Sequence, residues 1–394
     1  MTSGLRLLTA SSDLSDAVDL AAGKRNGTNG GDGAHGTSEA IPTPRTNGAA
    51  APSVKAAFSV AGWGTALPRR TVTNDDLARN LDTSDKWISA RTGISERRIS
   101  EADESTGYLA LAATERALAH AGLQASDIDL VIVATATPEQ PIPSTAAGLA
   151  STLGIPAGAF DINAACAGFV YGLTVAGGLL ATQVTETVLL VGADTMTRFV
   201  DPTDRATAVL FGDGAGAVVL TRHGARGADG RLGGLVASDL VDDPEAFDLL
   251  VIPAGGSARP PSLQTIEERA HFLRMDGREV FRRAVRAVSD SIERTLERAG
   301  CTPDDVDLFV PHQANARIID AVLPRIGLPA ERTIQTVDRH GNTSAASVPL
   351  ALSEVADAGD LPDGSLVLSS GFGAGLTVGT VLLRWQTSRR GTGL

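Results

Sequence analysis

Three residues of this chain have side chains suited to nucleophilic chemistry and stand in specific settings far apart: Cys166, His312 and Asn342. Cys166 lies in Asp161-Ile-Asn-Ala-Ala-Cys-Ala-Gly-Phe-Val170. There an apolar, strand-like stretch ends near Asn163, and a helix-like stretch runs from Gly168 through Val175. A thiol at a helix N-terminus meets exposed N–H groups and the positive end of the macrodipole. Both favour the thiolate, the nucleophilic form. The neighbours Ala164, Ala165, Ala167 and Gly168 leave room for a substrate to reach the sulfur. A lone cysteine among alanines is also the common pattern of a small buried hydrophobe. The strand-to-helix position is what favours the nucleophile. Cys301, in the turn after Gly300, reads as structural.

His312 ends the apolar strand Leu308-Phe-Val-Pro-His312 and is followed by Gln313-Ala-Asn315. A polar residue at the C-terminal end of a buried strand can line a crevice. It can equally be a satisfied core histidine. Asn342 lies in Asp338-Arg-His-Gly-Asn-Thr-Ser-Ala-Ala-Ser347, a polar turn before the helix-like Val348–Ala356. It reads as a site amide, or as a turn or cap residue. His340 competes with it, although Gly341 beside it suggests a tight bend. His120, His223 and His271 stand in polar surroundings and read as surface.

The elements that must bring these residues together are legible. Ala57–Gly62, Ile128–Ala136, Val188–Gly192, Ala217–Leu220, Val306–Val310 and Leu366–Ser369 read as strands. Thr106–Ala121 and Val280–Ala299 have helical spacing and end at Gly122 and Gly300, each placed as a C′ residue. Strands alternating with helices argue for α/β layers. Glu115–Leu130 can also be laid on Glu293–Leu308 with half the positions identical. Both are helix, glycine stop, acidic turn and apolar strand, which predicts a duplicated domain rather than a solenoid. Two glycine-rich stretches need separate readings. Phe211-Gly-Asp-Gly-Ala-Gly216 leads into a strand rather than a helix, so it is not a dinucleotide loop. Gly371-Phe-Gly-Ala-Gly375 reads as a loop whose backbone N–H groups could form an oxyanion hole.

Composition bounds the rest. With 394 residues and 43% apolar content, the chain suits two packed domains or one large duplicated one. A net charge of −12 argues against general nucleic-acid binding. Two cysteines make no disulfide framework, no apolar run is long enough to span a bilayer, and Leu5-Arg6-Leu7-Leu8 is too short for a signal h-region. The expectation is a cytoplasmic protein with no metal-ligand spacing, no membrane and no nucleic-acid partner. Residues 1–55 are rich in Gly, Asn, Thr, Ala and Pro without periodicity and read as a disordered leader, Asp13–Ala22 being a candidate short helix. The globular part divides into an N-terminal half, 56–222, with the cysteine, and a C-terminal half, 223–394, with the histidine and asparagine.

Five blocks then resemble one family. Ala164-Ala-Cys-Ala-Gly-Phe169, Pro311-His-Gln-Ala-Asn315 and Asp338-Arg-His-Gly-Asn-Thr-Ser-Ala-Ala-Ser-Val-Pro349 look like the catalytic blocks of β-ketoacyl-acyl-carrier-protein synthase III, in the thiolase superfamily. Thr83-Ser-Asp-Lys-Trp-Ile-Ser-Ala-Arg-Thr-Gly-Ile94 and Asp201-Pro-Thr-Asp-Arg205 match two more, and the likeness runs from about Ala56 to Trp385. The resemblance implies a thiolase-like fold of two duplicated α/β halves in five layers, αβαβα, and a homodimer. It implies decarboxylating condensation of an acyl-coenzyme A starter with malonyl-acyl-carrier protein in fatty acid or polyketide synthesis, without a metal or redox cofactor. The rival within the family is a polyketide starter-loading ketosynthase, or an acyltransferase to an oxygen or nitrogen acceptor. A non-catalytic subunit on the same scaffold would be expected to have lost the cysteine.

Carried over by motif, Cys166, His312 and Asn342 are the catalytic triad, and the backbone N–H groups of Cys166 and Ala374 are the oxyanion hole. Trp87 and Arg205 would sandwich the adenine of coenzyme A, with Thr83, Arg91, Asn315 and Gly277 nearby. Arg282, Arg317 and Arg325 would face the acidic carrier protein. Phe211 and Ile142 would belong to the acyl pocket, Ile142 where a partner subunit often supplies an aromatic. Ile142, together with Arg278 where a smaller polar residue is common, leaves the starter group open. The glycine-rich end is reminiscent of chalcone synthases, but Trp87, the Arg91-Thr-Gly-Ile94 block and Asp338-Arg-His-Gly341 favour synthase III.

Overall fold

Two stretches of chain with the same apolar pattern build two sheets that share a strand order over four strands. The computed structural model describes residues 56–223, 226 and 232–388, so the expected leader lies outside them. The first sheet runs Ser59–Ala66, Asp213–Thr221, Thr187–Thr195, Leu130–Ala134, Gly158–Ile162. The second runs Ala56–Ala57, Gly234–Asp242, Thr377–Arg384, Leu366–Gly373, Leu308–Pro311. From Ser59–Ala66 in one sheet and Gly234–Asp242 in the other, the next three pairings are antiparallel, antiparallel and parallel in both. That is the duplication the aligned segments predict. The helices Thr106–Ala121 and Gly277–Ala299 end on left-handed Gly122 and Gly300, and each is followed by a 3-10 turn into its strand. The first strand, Ala56–Ala57, nevertheless pairs with Gly234–Leu235 in the second sheet.

The strands nearest the middle are apolar on both sides because both faces are covered. On Leu130–Ala134, Ile132 packs inward with Phe169 and Leu190, while Val131 and Val133 pack outward with Leu109, Ala113 and Leu149. The inward cluster joins residues of both sheets through two helices, Gly168–Ala181 and Ser347–Ala358. Helices Thr106–Ala121 and Thr145–Leu153 cover the outer face of the first sheet. On the other side, Ser291 and Arg294 of the helix Gly277–Ala299 bond the buried Asp239 of the second sheet. The result is five layers, αβαβα, with the two central helices buried between the sheets. Among the described residues no helix is long and apolar enough to cross a membrane.

Most expected elements stand where the sequence puts them, and the differences have local causes. The second long helix starts at Gly277 rather than Val280, because Asp276 caps it by accepting from the N–H of Glu279. The central helix continues past Val175 to Ala181, since Gly177 gives Phe58 and Leu235 room to pack against it. The strand read as Leu366–Ser369 continues to Gly373, so the first three residues of the glycine-rich stretch are strand and not loop.

Candidate active site

Cys166 sits in a tight turn between the strand Gly158–Ile162 and the helix Gly168–Ala181. Ala165 before it has φ of 45°, and the N–H groups of Ala167 and Gly168 bond back to Ala164 and Ala165. The end of the strand Leu366–Gly373 lies directly against this turn. A Cβ at Gly373 would lie 2.6 Å from the Cys166 nitrogen and 2.7 Å from the Ala165 Cβ. Only a residue without a side chain lets the two backbones approach this closely. Gly373→Ala is therefore expected to displace the cysteine turn. It should cost about 1–3 kcal/mol of stability by overpacking and remove most cysteine acylation. Thermal unfolding and intact-mass labelling check both, and a variant that keeps full stability and labelling would contradict the tight packing.

His312 and Asn342 reach the same place from the other half. His312 follows the strand Leu308–Pro311, and its backbone N–H donates to Ser370 O at 2.7 Å. Its ring is 5.5 Å from that of Phe372, edge on. Its Nδ1 is 2.6 Å from Ser347 Oγ. Asn342 does not sit in a simple polar turn. It lies between a helical turn, Val337–His340, and a 3-10 turn, Ser344–Ala346, with its N–H bonded to Leu210 O and its carbonyl to the N–H of Gly212. Its Oδ1 accepts the backbone N–H of Ser344 at 2.9 Å, which leaves the amide NH₂ for the cavity side. His340, the competing histidine, points elsewhere: its Nε2 pairs with Glu354 Oε1 at 2.6 Å.

Cys166, His312 and Asn342 line one cavity of about 90 Å³, together with Phe211, Gly277 and Asn315. The remaining wall is mainly apolar, including Leu210, Met275, Phe281, Ile318 and Phe372. Burial pushes the Cys166 thiol up to about 12, despite a lowering contact with Ser344. Burial likewise pushes His312 down to about 3. Burial thus opposes the thiolate that a helix N-terminus favours, and it favours the neutral forms of both thiol and imidazole. Only thiolate reacts with alkylating agents. Iodoacetamide labelling of Cys166 should therefore accelerate about tenfold per pH unit from about pH 6 to 9, with no plateau. A plateau near neutrality would show that the helix field prevails.

Ser84 caps the helix Asp85–Thr92 by accepting from the Trp87 N–H, and this helix sets Trp87 and Arg91 four residues apart. The Arg91 and Arg205 guanidinium carbons lie 4.7 and 4.9 Å from the Trp87 ring centroid. Arg205 also donates to Asp82 O at 2.7 Å. Trp87 and Arg205 are in contact, so a base could enter between them only if Arg205 moves. Asn315 caps the helix Ala316–Ile326 and donates from Nδ2 to Arg91 O at 3.1 Å, joining this cluster to the cavity wall. The Thr83 hydroxyl is buried and has no hydrogen-bond partner among the described residues. Ala374 opens the 3-10 turn directly after Gly373. Arg282 is exposed and paired with Glu279, Arg317 lies over the Phe281 ring, and Arg325 is exposed in the last turn of its helix. Ile142 does not line the cavity of its own chain; it is 86% exposed.

Three residues of the site's support are not evident from the sequence alone. Asp194, fully buried, accepts from Thr135, Ala136, Thr137 and Ala345, and so ties the first sheet to the turn after Asn342. Ser344 lies near both Cys166 and Asp194, with a hydroxyl that completes no hydrogen bond among the described residues. Ser347 stands behind His312.

Comparison with known proteins agrees with this geometry. The family model described as 3-oxoacyl-[acyl-carrier-protein] synthase III matches residues 160–240, and its C-terminal counterpart matches 296–385. The chain is 46% identical over 328 residues to a β-ketoacyl-[acyl-carrier-protein] synthase III of Syntrophomonas wolfei, covering 83% of this chain and 97% of that protein. It is 46% identical over 325 residues to synthase III 3 of Streptomyces coelicolor, covering 82% and 96%. Among solved structures, the Pseudomonas aeruginosa 3-oxoacyl-(acyl carrier protein) synthase III superposes with a TM-score of 0.76 at 45% identity, covering 84% and 99%. The priming β-ketosynthase of a polyketide biosynthetic pathway superposes with a TM-score of 0.77 at 37% identity, covering 84% and 97%. With its duplicated five-layer fold and a cysteine, a histidine and an asparagine on one cavity, the chain belongs to the 3-oxoacyl-[acyl-carrier-protein] synthase III family.

Proposed function

We propose that the chain is a β-ketoacyl-acyl-carrier-protein synthase III, condensing an acyl-coenzyme A starter with malonyl-acyl-carrier protein. The observation that carries this reading is one apolar cavity lined by a thiol, an imidazole and an amide whose NH₂ is left free for it. In the first stage Cys166 attacks the thioester, and the acyl group passes from one sulfur to the other. The proton lost by Cys166 is gained by departing coenzyme A, so the exchange is neutral overall. The tetrahedral oxyanion takes hydrogen bonds from the backbone N–H groups of Cys166 and Ala374, each worth about 3–4 kcal/mol in comparable sites. In the second stage malonyl-carrier protein loses carbon dioxide. The electron pair moves onto the thioester oxygen, where His312 and Asn342 stabilise the enolate as neutral donors. Its carbon then attacks the acyl-cysteine, the Cys166–acyl bond breaks, and one proton is taken up at the sulfur. No step calls on a metal or redox cofactor.

Trp87, Arg91, Arg205, Thr83, Asn315 and Gly277 serve coenzyme A in this reading, supported by their continuity from the Trp87 cluster to the cavity wall. Arg282 and Arg317 stand beside residues that line the cavity, where an acidic carrier protein would have to dock. Arg325 extends that basic face. Phe211 bounds the acyl pocket, and Ile142 serves the pocket of a second subunit in a homodimer, for which its exposure suits it. The protein works in the cytoplasm, in fatty acid or polyketide initiation.

The test is a panel of acyl-coenzyme A starters with malonyl-acyl-carrier protein, scored for carbon dioxide and β-ketoacyl product. Stoichiometric release of both is expected. Transfer of the acyl group to an oxygen or nitrogen acceptor without carbon dioxide would replace condensation with simple acyl transfer.

A further inference from the structure

The imidazole of His312 is held from behind by a single hydroxyl. Its Nδ1 lies 2.6 Å from Ser347 Oγ. The backbone N–H of Gln313 donates to the same oxygen at 3.3 Å. Ser347 is buried, and among the described residues its hydroxyl has no third hydrogen-bonding partner. A hydroxyl offers one proton and two acceptor sites. The Gln313 N–H occupies one acceptor site. If Nδ1–H also donated to this oxygen, the hydroxyl proton would be buried with nothing to accept it, an arrangement native interiors avoid. Every atom is satisfied when the hydroxyl donates to Nδ1. A neutral imidazole then carries its one proton on Nε2. That nitrogen has no partner among the described residues and belongs to a side chain lining the cavity.

We propose that Ser347 is a positioning residue that locks His312 in its Nε2–H tautomer, so that the ring offers the cavity a hydrogen-bond donor and not a base. The tautomer follows from the hydrogen bonds alone; its catalytic consequence rests on the function proposed above. Burial, which holds His312 down to about 3, leaves the choice of tautomer as the only variable of the ring across the working pH range. Phe372 meets the imidazole edge on. His312 is thereby made the partner of Asn342: two neutral donors aimed at one developing oxyanion. It cannot take the Cys166 proton without first losing its bond from Ser347.

The experiment is ¹⁵N spectroscopy of histidine-labelled, ligand-free protein, with kinetics on two variants. Wild type should show His312 Nε2 protonated and Nδ1 as an acceptor, unchanged between about pH 5 and 8. Ser347→Ala should show a mixture of tautomers and lose decarboxylation of malonyl-carrier protein by about tenfold or more, while cysteine acylation stays within about twofold. Ser347→Thr, which restores the hydroxyl, should recover both the spectrum and the rate. A wild-type ring protonated on Nδ1 would overturn the proposal, as would Ser347→Ala with an unchanged spectrum and rate. If Ser347→Ala does not fold, the wild-type spectrum and the threonine variant decide. An Nε2–H ring in a protein that releases no carbon dioxide would leave the tautomer standing and remove the proposed function instead.

Discussion

Cys166→Ala is expected to abolish the acyl-enzyme and to lower condensation by on the order of 10⁴-fold or more, as removal of a covalent nucleophile does elsewhere. The cavity holds no second thiol: Cys301 lies in the turn after Gly300 and is only partly buried. Alanine removes the sulfur with little disturbance, because the position is buried among small residues. Thermal stability should therefore stay close to that of wild type. His312 and Asn342 remain in place, so the variant should still release carbon dioxide from malonyl-carrier protein, uncoupled from any acyl acceptor. Intact-mass spectrometry after acyl-coenzyme A, and carbon dioxide trapping, read the two effects separately. A normal acyl adduct on the variant would remove Cys166 from the reaction.

Asn342→Ala should do the opposite. The nucleophile, its turn and the backbone N–H groups assigned to the oxyanion are untouched, so acylation should stay within about twofold. Decarboxylation loses one of its two donors and should fall about 10²–10³-fold. The amide is oriented by the Ser344 N–H on its Oδ1, and the variant also leaves that N–H without its partner. A modest loss of stability, about 1–2 kcal/mol, is expected with it. The decisive readout is the ratio of acylation to carbon dioxide release. Equal loss of both would mean that Asn342 holds the site together and does not act on the malonyl group.

The fold was readable because its two halves repeat one local pattern. Two helices stopped by left-handed glycines, each followed by an acidic 3-10 turn and an apolar strand, predict the duplication that both sheets display. The setting of Cys166 between a strand and a helix was legible for the same reason. The protonation state of the thiol was not. A helix N-terminus can be read from spacing, but desolvation depends on what packs against it, here Gly373 from more than two hundred residues downstream. Gly371–Gly375 looks like a loop because glycine is weak in strands, yet its first three residues are strand, and the two glycines among them, Gly371 and Gly373, lie against the cysteine turn. Ser347 and Asp194 left no local signal. A serine opening a helix and an acid ending a strand are ordinary in sequence, and only the packing of the two halves aims them at the site.

The central claim is that one sulfur carries the acyl group between two substrates, and peptide mapping of the trapped adduct tests it most directly. Protein incubated with acyl-coenzyme A should gain one acyl group, located on Cys166, and lose it to product when malonyl-acyl-carrier protein is added. An adduct on Cys301, or an adduct on Cys166 that malonyl-carrier protein cannot discharge, would contradict it.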